Sequence, residues 1–153
     1  MMTIEEKLRD LGIELPEPAA PLGSYVPALT TGNLVFISGI LPMLDGGLFR
    51  SGKVDSEVSL AEAQQCAKYT AINALAILKT QTGTLDRVRR CIKLTGYIAS
   101  SSDFFEQPKV LNAASDLLSA LFGQSGRHVR SAVGVNVLPL NAPVEIEFLF
   151  ETT

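Results

Sequence analysis

A single arginine, Arg130, lies in a stretch of chain whose other residues are small or apolar. The run from Val129 to Leu138 alternates with the period of two that is typical of a half-buried β-strand. We expect its valines to pack into the core and Arg130 to project from the opposite face beside Ala132 and Gly134. The five N–H donors of a guanidinium form a planar fork that fits a carboxylate or phosphate, so Arg130 is a candidate anion anchor. The alternative is an arginine at the sheet rim, paired with a local glutamate.

A second candidate group lies on the final strand, where Glu145 and Glu147 alternate with apolar residues. We expect these glutamates to share the face of Arg130. A hairpin that sets valine against valine places Arg130 opposite Glu151 and about 20 Å from Glu145. Arg130 and Glu145 can then serve one site only across a subunit interface. The alternatives are a local Arg130–Glu151 pair and a solvated Glu-x-Glu pair.

Composition narrows the class of protein. The chain has 153 residues, of which 46% are hydrophobic and 19% are charged, as expected for one globular domain. Its net charge of −3 does not favour the binding of nucleic acid. The basic residues between Arg87 and Lys93 lie on a predicted strand, so they alternate between its two faces and form no continuous basic surface. No apolar run has the length of a membrane span, and the charged N-terminus does not resemble a signal peptide.

The metal-binding and nucleophilic residue types are few. Cys66 and Cys91 are isolated and are expected to be reduced, buried thiols of a cytoplasmic protein. With His128 as the one histidine, neither a zinc site nor a Ser-His-Asp triad is expected. Chemistry must come from Arg, Glu, Tyr, Ser and backbone groups.

Three segments have the periodicity of amphipathic helices. A short helix is predicted over about Ile4–Leu11, before an extended proline-rich arm at Pro16–Pro21. The strongest prediction begins with a capping box at Ser59–Glu62 and stops at Gly83. Its alanine-rich face permits close approach to a sheet. A third helix is predicted over about Gln107–Phe122.

Alternating segments predict five strands, at Val26–Thr30, Leu34–Ser38, Val88–Ala99, Val129–Leu138 and Val144–Phe150. On the third strand, Ile92 and Leu94 are expected on the core side, and Lys93 and Tyr97 on the other. Leu34–Ile37 is expected to be covered on both faces, and Asp45–Lys53 to hold an edge strand or a loop. The order ββ-α-β-α-ββ predicts an α+β two-layer sandwich with two helices on one face of a mixed sheet. We expect part of the other face to be buried in a symmetric oligomer.

Four ordered motifs resemble those of the Rid family, the YjgF-type enamine/imine deaminases also labelled L-PSP endoribonucleases. They are Gly23-Ser24-Tyr25-Val26, Ile37-Ser38-Gly39-Ile40-Leu41-Pro42, Arg130-Ser131-Ala132-Val133, and Leu138-Pro139 followed by Val144-Glu145-Ile146-Glu147. The resemblance covers roughly Pro21 to the C-terminus. It implies one chorismate-mutase-like domain over residues 1–153, with residues 1–20 as an N-terminal helix and arm. It also implies a homotrimer with active sites in the clefts between subunits.

The resemblance implies a role for each matching position. Arg130 would pair with the substrate carboxylate, and Glu145 would place the attacking water or move protons. The implied substrate-binding positions are Tyr25, Ser38, Gly39, Ile40, Asn112 and Ala132. Packing is the alternative for Tyr25, and a structural hydrogen bond for Asn112. His128 shares the face of Arg130 and is expected at the site rim or as a cap.

Several features depart from the family pattern. Ala132 replaces a cysteine and Ile40 replaces a polar residue of many relatives, so the resemblance supports catalysis through Arg130 but does not fix the substrate. The extension to about Ala20 and the long Asp45–Ser59 segment are also unusual.

The implied reaction is hydrolytic deamination of small enamine/imine intermediates of 2-oxo acids, such as 2-aminoacrylate. Neither a metal nor an organic cofactor is needed. One alternative is a non-catalytic trimer that binds small carboxylic metabolites as a sensor. Another is a ribonuclease or translation inhibitor, against which the acidic balance and the lack of a histidine pair argue.

Overall fold

Seven strands and three helices make up the protein, and the computed structural model describes all residues from 1 to 153. The strands are β1 (Ala28–Thr31), β2 (Leu34–Ile40), β3 (Met43–Leu44), β4 (Gly47–Leu48), β5 (Val88–Ala99), β6 (Val129–Val135) and β7 (Val144–Thr152). Five of them form one mixed sheet in the order β1-β2-β7-β5-β6, in which only β5 and β6 run parallel. The β3–β4 hairpin is a separate sheet, so the glycine-rich segment adds no edge strand.

Two long helices cover one face of the sheet, and this confirms the predicted α+β sandwich. The helices are α1 (Ile4–Asp10), α2 (Leu60–Thr82) and α3 (Gln107–Phe122). The capping box of α2 is present: the Glu62 N–H donates to the Ser59 hydroxyl at 3.1 Å, and the Ser59 N–H donates to the Glu62 carboxylate at 2.9 Å. Gly83 ends α2 with a φ of +80°. No helix combines the length and apolar character needed to cross a membrane.

The N-terminal segment forms the predicted helix and arm. Leu8 of α1 is buried in the main core. The arm, residues 11–27, has no regular secondary structure over most of its course and returns across the surface to β1. Ile13 and Leu15 pack partly against the core on the way. The arm is therefore part of the packed structure.

The predicted β6–β7 hairpin is wrong. β7 pairs with β2 and β5 in the centre of the sheet, while β6 pairs with β5 at the edge. Since α3 connects β5 to β6, the parallel pair forms by a helical crossover, and the chain must then pass β5 to reach the centre. Arg130 consequently lies beside Leu94, and Glu151 bonds Asn33 and approaches Arg89 instead.

The predicted faces of β6 are also reversed. Arg130 and Ala132 lie on the helix side, whereas Val129 and Val133 are 65% and 42% exposed on the open face. A Cβ added to Gly134 would lie 2.8 Å from the Gln107 amide nitrogen of α3. Small residues therefore face the helix because it approaches closely, and the valines are left on the face that this chain does not cover.

Two other burial predictions need correction. The β5–β7 pairing shifts register between Cys91 and Lys93, so Cys91 takes the buried position predicted for Ile92. Phe36 is 44% exposed on the open face, so the apolar run of β2 is covered on one side only. Both cysteines are free and buried as predicted, and desolvation raises the pKa of each, Cys66 and Cys91, to about 12.

Substitution of Gly96 tests how closely α3 packs against the sheet. A Cβ at Gly96 would lie 2.2 Å from Leu111 Cδ1, and Leu111 is fully buried. We expect Gly96→Ala to lower the free energy of unfolding by about 1–3 kcal/mol through overpacking, measured by urea denaturation. Gly47→Ala is the control, because no atom lies within 4 Å of its added Cβ. An equal effect of the two substitutions would contradict the proposed packing.

Candidate active site

A cavity of about 510 Å³ opens where the arm meets β2, β7 and α2. Five of the predicted site residues line it: Tyr25, Ser38, Gly39, Ile40 and Glu145. The sequence motifs that contain them are far apart in the chain and meet here because β7 inserts beside β2. The structure thus brings together the residues of three motifs, while their roles stay predictions.

The Glu145 carboxylate is positioned by the absence of a side chain at Gly39. The β2–β7 pairing shifts register between Ile37 and Ile40, and Gly39 lies in that irregular stretch. A Cβ added to Gly39 would lie 2.1 Å from Glu145 Oε1. Any larger residue at this position would therefore displace the carboxylate.

The surroundings of Glu145 favour its protonated form. Partial burial raises the pKa of the Glu145 carboxyl, and the negative charge of Glu147 raises it further. Glu145 takes part in none of the chain's ion pairs. The Glu147 carboxylate differs, because it accepts a hydrogen bond from the Tyr97 hydroxyl at 2.9 Å. Glu145 is thus the titratable group of the cavity that can exchange protons with a ligand.

Ser38 and Asn73 hold the walls of the cavity in place. The N–H and the hydroxyl of Ser38 both donate to the Pro27 carbonyl, at 3.0 and 3.1 Å, which fixes the end of the arm to β2. The Asn73 amide donates to the carbonyls of Leu41 and Met43, at 3.3 and 2.9 Å. Sequence reasoning missed Asn73, and its one signal was a polar residue beside the apolar stripe of α2.

Arg130 lies in a second cluster, on the helix side of β6. Its Nη1 donates to Asn112 Oδ1 at 2.9 Å and to Ser115 Oγ at 3.0 Å, and its Nη2 donates to the Pro108 carbonyl at 3.2 Å. All three partners are neutral, and Arg130 forms none of the chain's ion pairs. Of its five donors, the Nε–H and one Nη2–H have no partner in the chain and are available to an anion.

Asn112 and Ala132 belong to this second cluster. Asn112 is a direct partner of Arg130, and Ala132 packs against the core two residues along the same face. Ser115, which sequence reasoning missed, contacts Arg130 from the same side of α3 as Asn112. Their spacing of three residues is the signal that could have found it.

His128 and Arg130 are linked by hydrogen bonds to the same hydroxyl, that of Ser115. The Nε2 of His128 lies 2.9 Å from Ser115 Oγ, and its Nδ1 lies 2.7 Å from the Gly126 carbonyl. Burial lowers the pKa of His128 and the charge of Arg130 lowers it further, although the Gly126 carbonyl opposes this. A neutral His128 that donates from Nδ1 accepts the Ser115 hydroxyl at Nε2, which leaves the Ser115 oxygen to accept from Arg130.

Arg130 and Glu145 do not meet within one chain. Arg130 is opposite Leu94 of β5, and Glu145 is opposite Tyr97. The two positions are offset by three residues along the strand direction and lie two strands apart in the sheet, so their Cα atoms are roughly 14 Å apart. Their side chains also lie on opposite faces of the sheet. A site that uses both residues therefore needs a second copy of the chain.

Residues 5–152 match the family described as "YjgF/chorismate_mutase-like, putative endoribonuclease". Protein TCP17 of Trypanosoma cruzi is 40% identical over 97% of this chain and 93% of its own length. A 2-iminobutanoate/2-iminopropanoate deaminase of Dermatophagoides farinae is 32% identical over 88% of this chain and 91% of its own. The crystal structure of Atu1372 from Agrobacterium tumefaciens, a protein of unknown function, superposes with a TM-score of 0.90 at 43% identity, over 98% of this chain and 92% of that one. The fold, the site motifs and these matches define a chorismate-mutase-like α+β protein. The chain belongs to the YjgF family.

The desolvation of Glu145 predicts a pH-dependent gain in stability on its replacement. Because the folded state raises the pKa of Glu145, the carboxylate destabilises the fold at pH values above that pKa, and this effect disappears as the pH falls through the ordinary glutamate range. We expect Glu145→Gln to have a higher Tm than the wild type at pH 7 and an equal Tm near pH 4 in differential scanning calorimetry. Glu147→Gln is the comparison, because the Glu147 carboxylate is exposed and accepts a hydrogen bond from Tyr97. A lower Tm of Glu145→Gln at pH 7 would show that Glu145 is stabilised by a partner.

Proposed function

We propose that the protein hydrolyses small enamine/imine intermediates of 2-oxo acids, in sites formed between the subunits of a homotrimer. The observation that carries the proposal is the half-buried, unpaired Glu145 carboxylate beside a cavity, together with an Arg130 that keeps free donors. The deaminase name of the Dermatophagoides farinae relative supports the same reaction.

The open face of the sheet supports the oligomer. A row of paired residues crosses all five strands on this face: Leu29, Phe36, Leu149, Lys93 and Val129. Leu29, Phe36 and Val129 of this row are exposed in a single chain. Exposed apolar side chains on one sheet face, here interrupted by Lys93, are typical of a protein interface, and a closed symmetric assembly is the simplest way to cover them. Such packing can bring Arg130 of one subunit to the Glu145 cavity of the next.

The reaction requires few groups. An enamine first tautomerises to the imine, as its terminal carbon gains a proton and its nitrogen loses one. Water then adds to the imine carbon, where the new C–O bond forms as the C=N π electrons move to nitrogen. The resulting carbinolamine gains a proton on nitrogen and releases ammonia as its C–N bond breaks, while its hydroxyl loses a proton to form the C=O of the 2-oxo acid.

Arg130 and Glu145 would act on different parts of this substrate. Arg130 would hold the carboxylate through its remaining Nε–H and Nη2–H, which orients the imine carbon. Glu145 would take a proton from the attacking water and return it to the departing nitrogen. Its raised pKa suits it to hold and release a proton closer to neutral pH.

Loss of the Arg130 side chain tests the carboxylate anchor. A pyridoxal-phosphate lyase supplied with serine releases 2-aminoacrylate, and a coupled dehydrogenase reports pyruvate. We expect the wild type to accelerate pyruvate release, and Arg130→Ala to lower kcat/KM by about 30-fold or more, since removing one partner of a desolvated charge pair costs about 2–5 kcal/mol. Arg89→Ala is the matched control, because Arg89 is exposed and approaches only Glu151.

Acceleration that Arg130→Ala retains in full would refute the proposal. Binding of 2-oxobutyrate in calorimetry without any turnover would instead favour a metabolite sensor.

Mixing two inactive variants tests the shared site. If Arg130 and Glu145 of one site come from different subunits, co-refolded Arg130→Ala and Glu145→Gln chains form some sites in which both residues are intact. Random assembly of equal amounts predicts recovery of about a quarter of the wild-type activity in a ring of head-to-tail interfaces. Separately refolded variants are the control. If verified mixed oligomers recover no activity, Arg130 and Glu145 do not act together across a subunit interface, and the shared site is refuted.

A further inference from the structure

We propose that the N-terminal arm is a specificity wall of the Glu145 cavity and selects imines with a large aliphatic side chain over those with a small one. This inference rests on the proposed function and adds to it the class of substrate. Arm residues Ala19 to Leu22 and Tyr25 line the cavity together with Ile40, Met43 and Ile77. The arm thus forms a wall of the same cavity that holds Glu145.

The arm is held at both ends, which fixes its course across the cavity. At its start, α1 buries Leu8, and the Lys7 ammonium donates to the Leu121 carbonyl of α3 at 3.0 Å. At its end, the Pro27 carbonyl accepts both donors of Ser38. A chain segment that is tied down in this way can present side chains to a ligand without a large ordering cost.

A local turn directs the wall residues into one surface. The Leu22 N–H donates to the Tyr25 hydroxyl at 3.3 Å, and the Tyr25 N–H donates to the Gly23 carbonyl at 3.0 Å. These bonds keep the Leu22 backbone and the Tyr25 ring together. Leu22 is nevertheless 64% exposed, so its side chain still has apolar surface that a ligand could bury.

Most polar side chains of the cavity other than Glu145 already have hydrogen-bond partners. The Asn73 amide hydrogens are directed to the Leu41 and Met43 carbonyls, and the Ser38 hydroxyl donates to Pro27. Glu145 is the one charged residue of the lining. A ligand therefore meets the one charged group of the lining at Glu145, and on the arm a mainly apolar surface whose one polar side-chain group is the Tyr25 hydroxyl.

The cavity of the single chain, part of which the neighbouring subunit would cover, also has room for a larger substrate. At about 30 Å³ for each water-sized group, the atoms of 2-aminoacrylate fill less than half of the 510 Å³. A branched aliphatic side chain can occupy the space between the arm and Ile40. Each buried methylene is worth about a fourfold gain in kcat/KM.

The test compares two imines that differ only in side chain. An amino-acid oxidase generates 2-imino-4-methylpentanoate from leucine and 2-iminopropanoate from alanine, and trapping of the remaining imine reports its hydrolysis. We expect the wild type to prefer the leucine-derived imine by about tenfold or more in kcat/KM, and Leu22→Ser to lower this ratio by about threefold to tenfold. Leu11→Ser is the control, because Leu11 is exposed at the start of the arm and lies outside the cavity lining.

Three outcomes overturn the assignment: a wild-type ratio near one, an equal loss on both imines in Leu22→Ser, or the same change in Leu11→Ser. If neither imine is hydrolysed, the proposed function fails, and the wall is tested by binding alone. Calorimetry then compares 4-methyl-2-oxopentanoate with pyruvate. Tighter binding of the former that Leu22→Ser abolishes supports the wall, and equal affinities overturn it.

Discussion

The position of β7 in the centre of the sheet is the constraint on which the rest of the structure depends. Because β7 inserts between β2 and β5, its alternation directs Val144, Ile146 and Phe148 into the core and leaves Glu145 against the side-chain-free Gly39. Burial of a carboxylate at that point opposes its ionisation. Groups that are costly to the fold in this way are characteristic of sites where a protein exchanges protons with a ligand.

The same insertion separates the two charged groups that the proposed chemistry requires. Arg130 lies on the edge strand and on the helix side, where Asn112 and Ser115 orient it without neutralising it. Glu145 lies two strands away on the opposite face. A charge that has only neutral partners is available to an external anion, whereas a local ion pair would already satisfy it. Division of the site between two copies therefore follows from the proposed use of both residues.

The arm connects α1 to the cavity. α1 packs against the C-terminal ends of α2 and α3, where Glu5 approaches Lys79 and Lys7 donates to the Leu121 carbonyl, and the chain that follows it lines the cavity with Ile77 and Glu145. Anchoring by Leu8 at one end and by Ser38 at the other makes the apolar wall a feature of the fold. Size selection would then be a property of a segment that carries no reactive group.

The amino-acid sequence by itself determined the local elements: the capping box at Ser59, the ends of α2 and α3, and the ladder of apolar residues on β7. These depend on backbone hydrogen bonds and periodicities that extend over a few residues. Only the tertiary structure decided the strand order, the side to which Arg130 points and the residues that join it, such as Ser115. A period of two distinguishes two faces but does not say which face a helix will cover, and partners in a sheet are chosen by contacts between distant segments. The sequence could therefore predict Arg130 and Glu145 as candidate groups but wrongly placed them on one face, whereas the fold puts them on opposite faces.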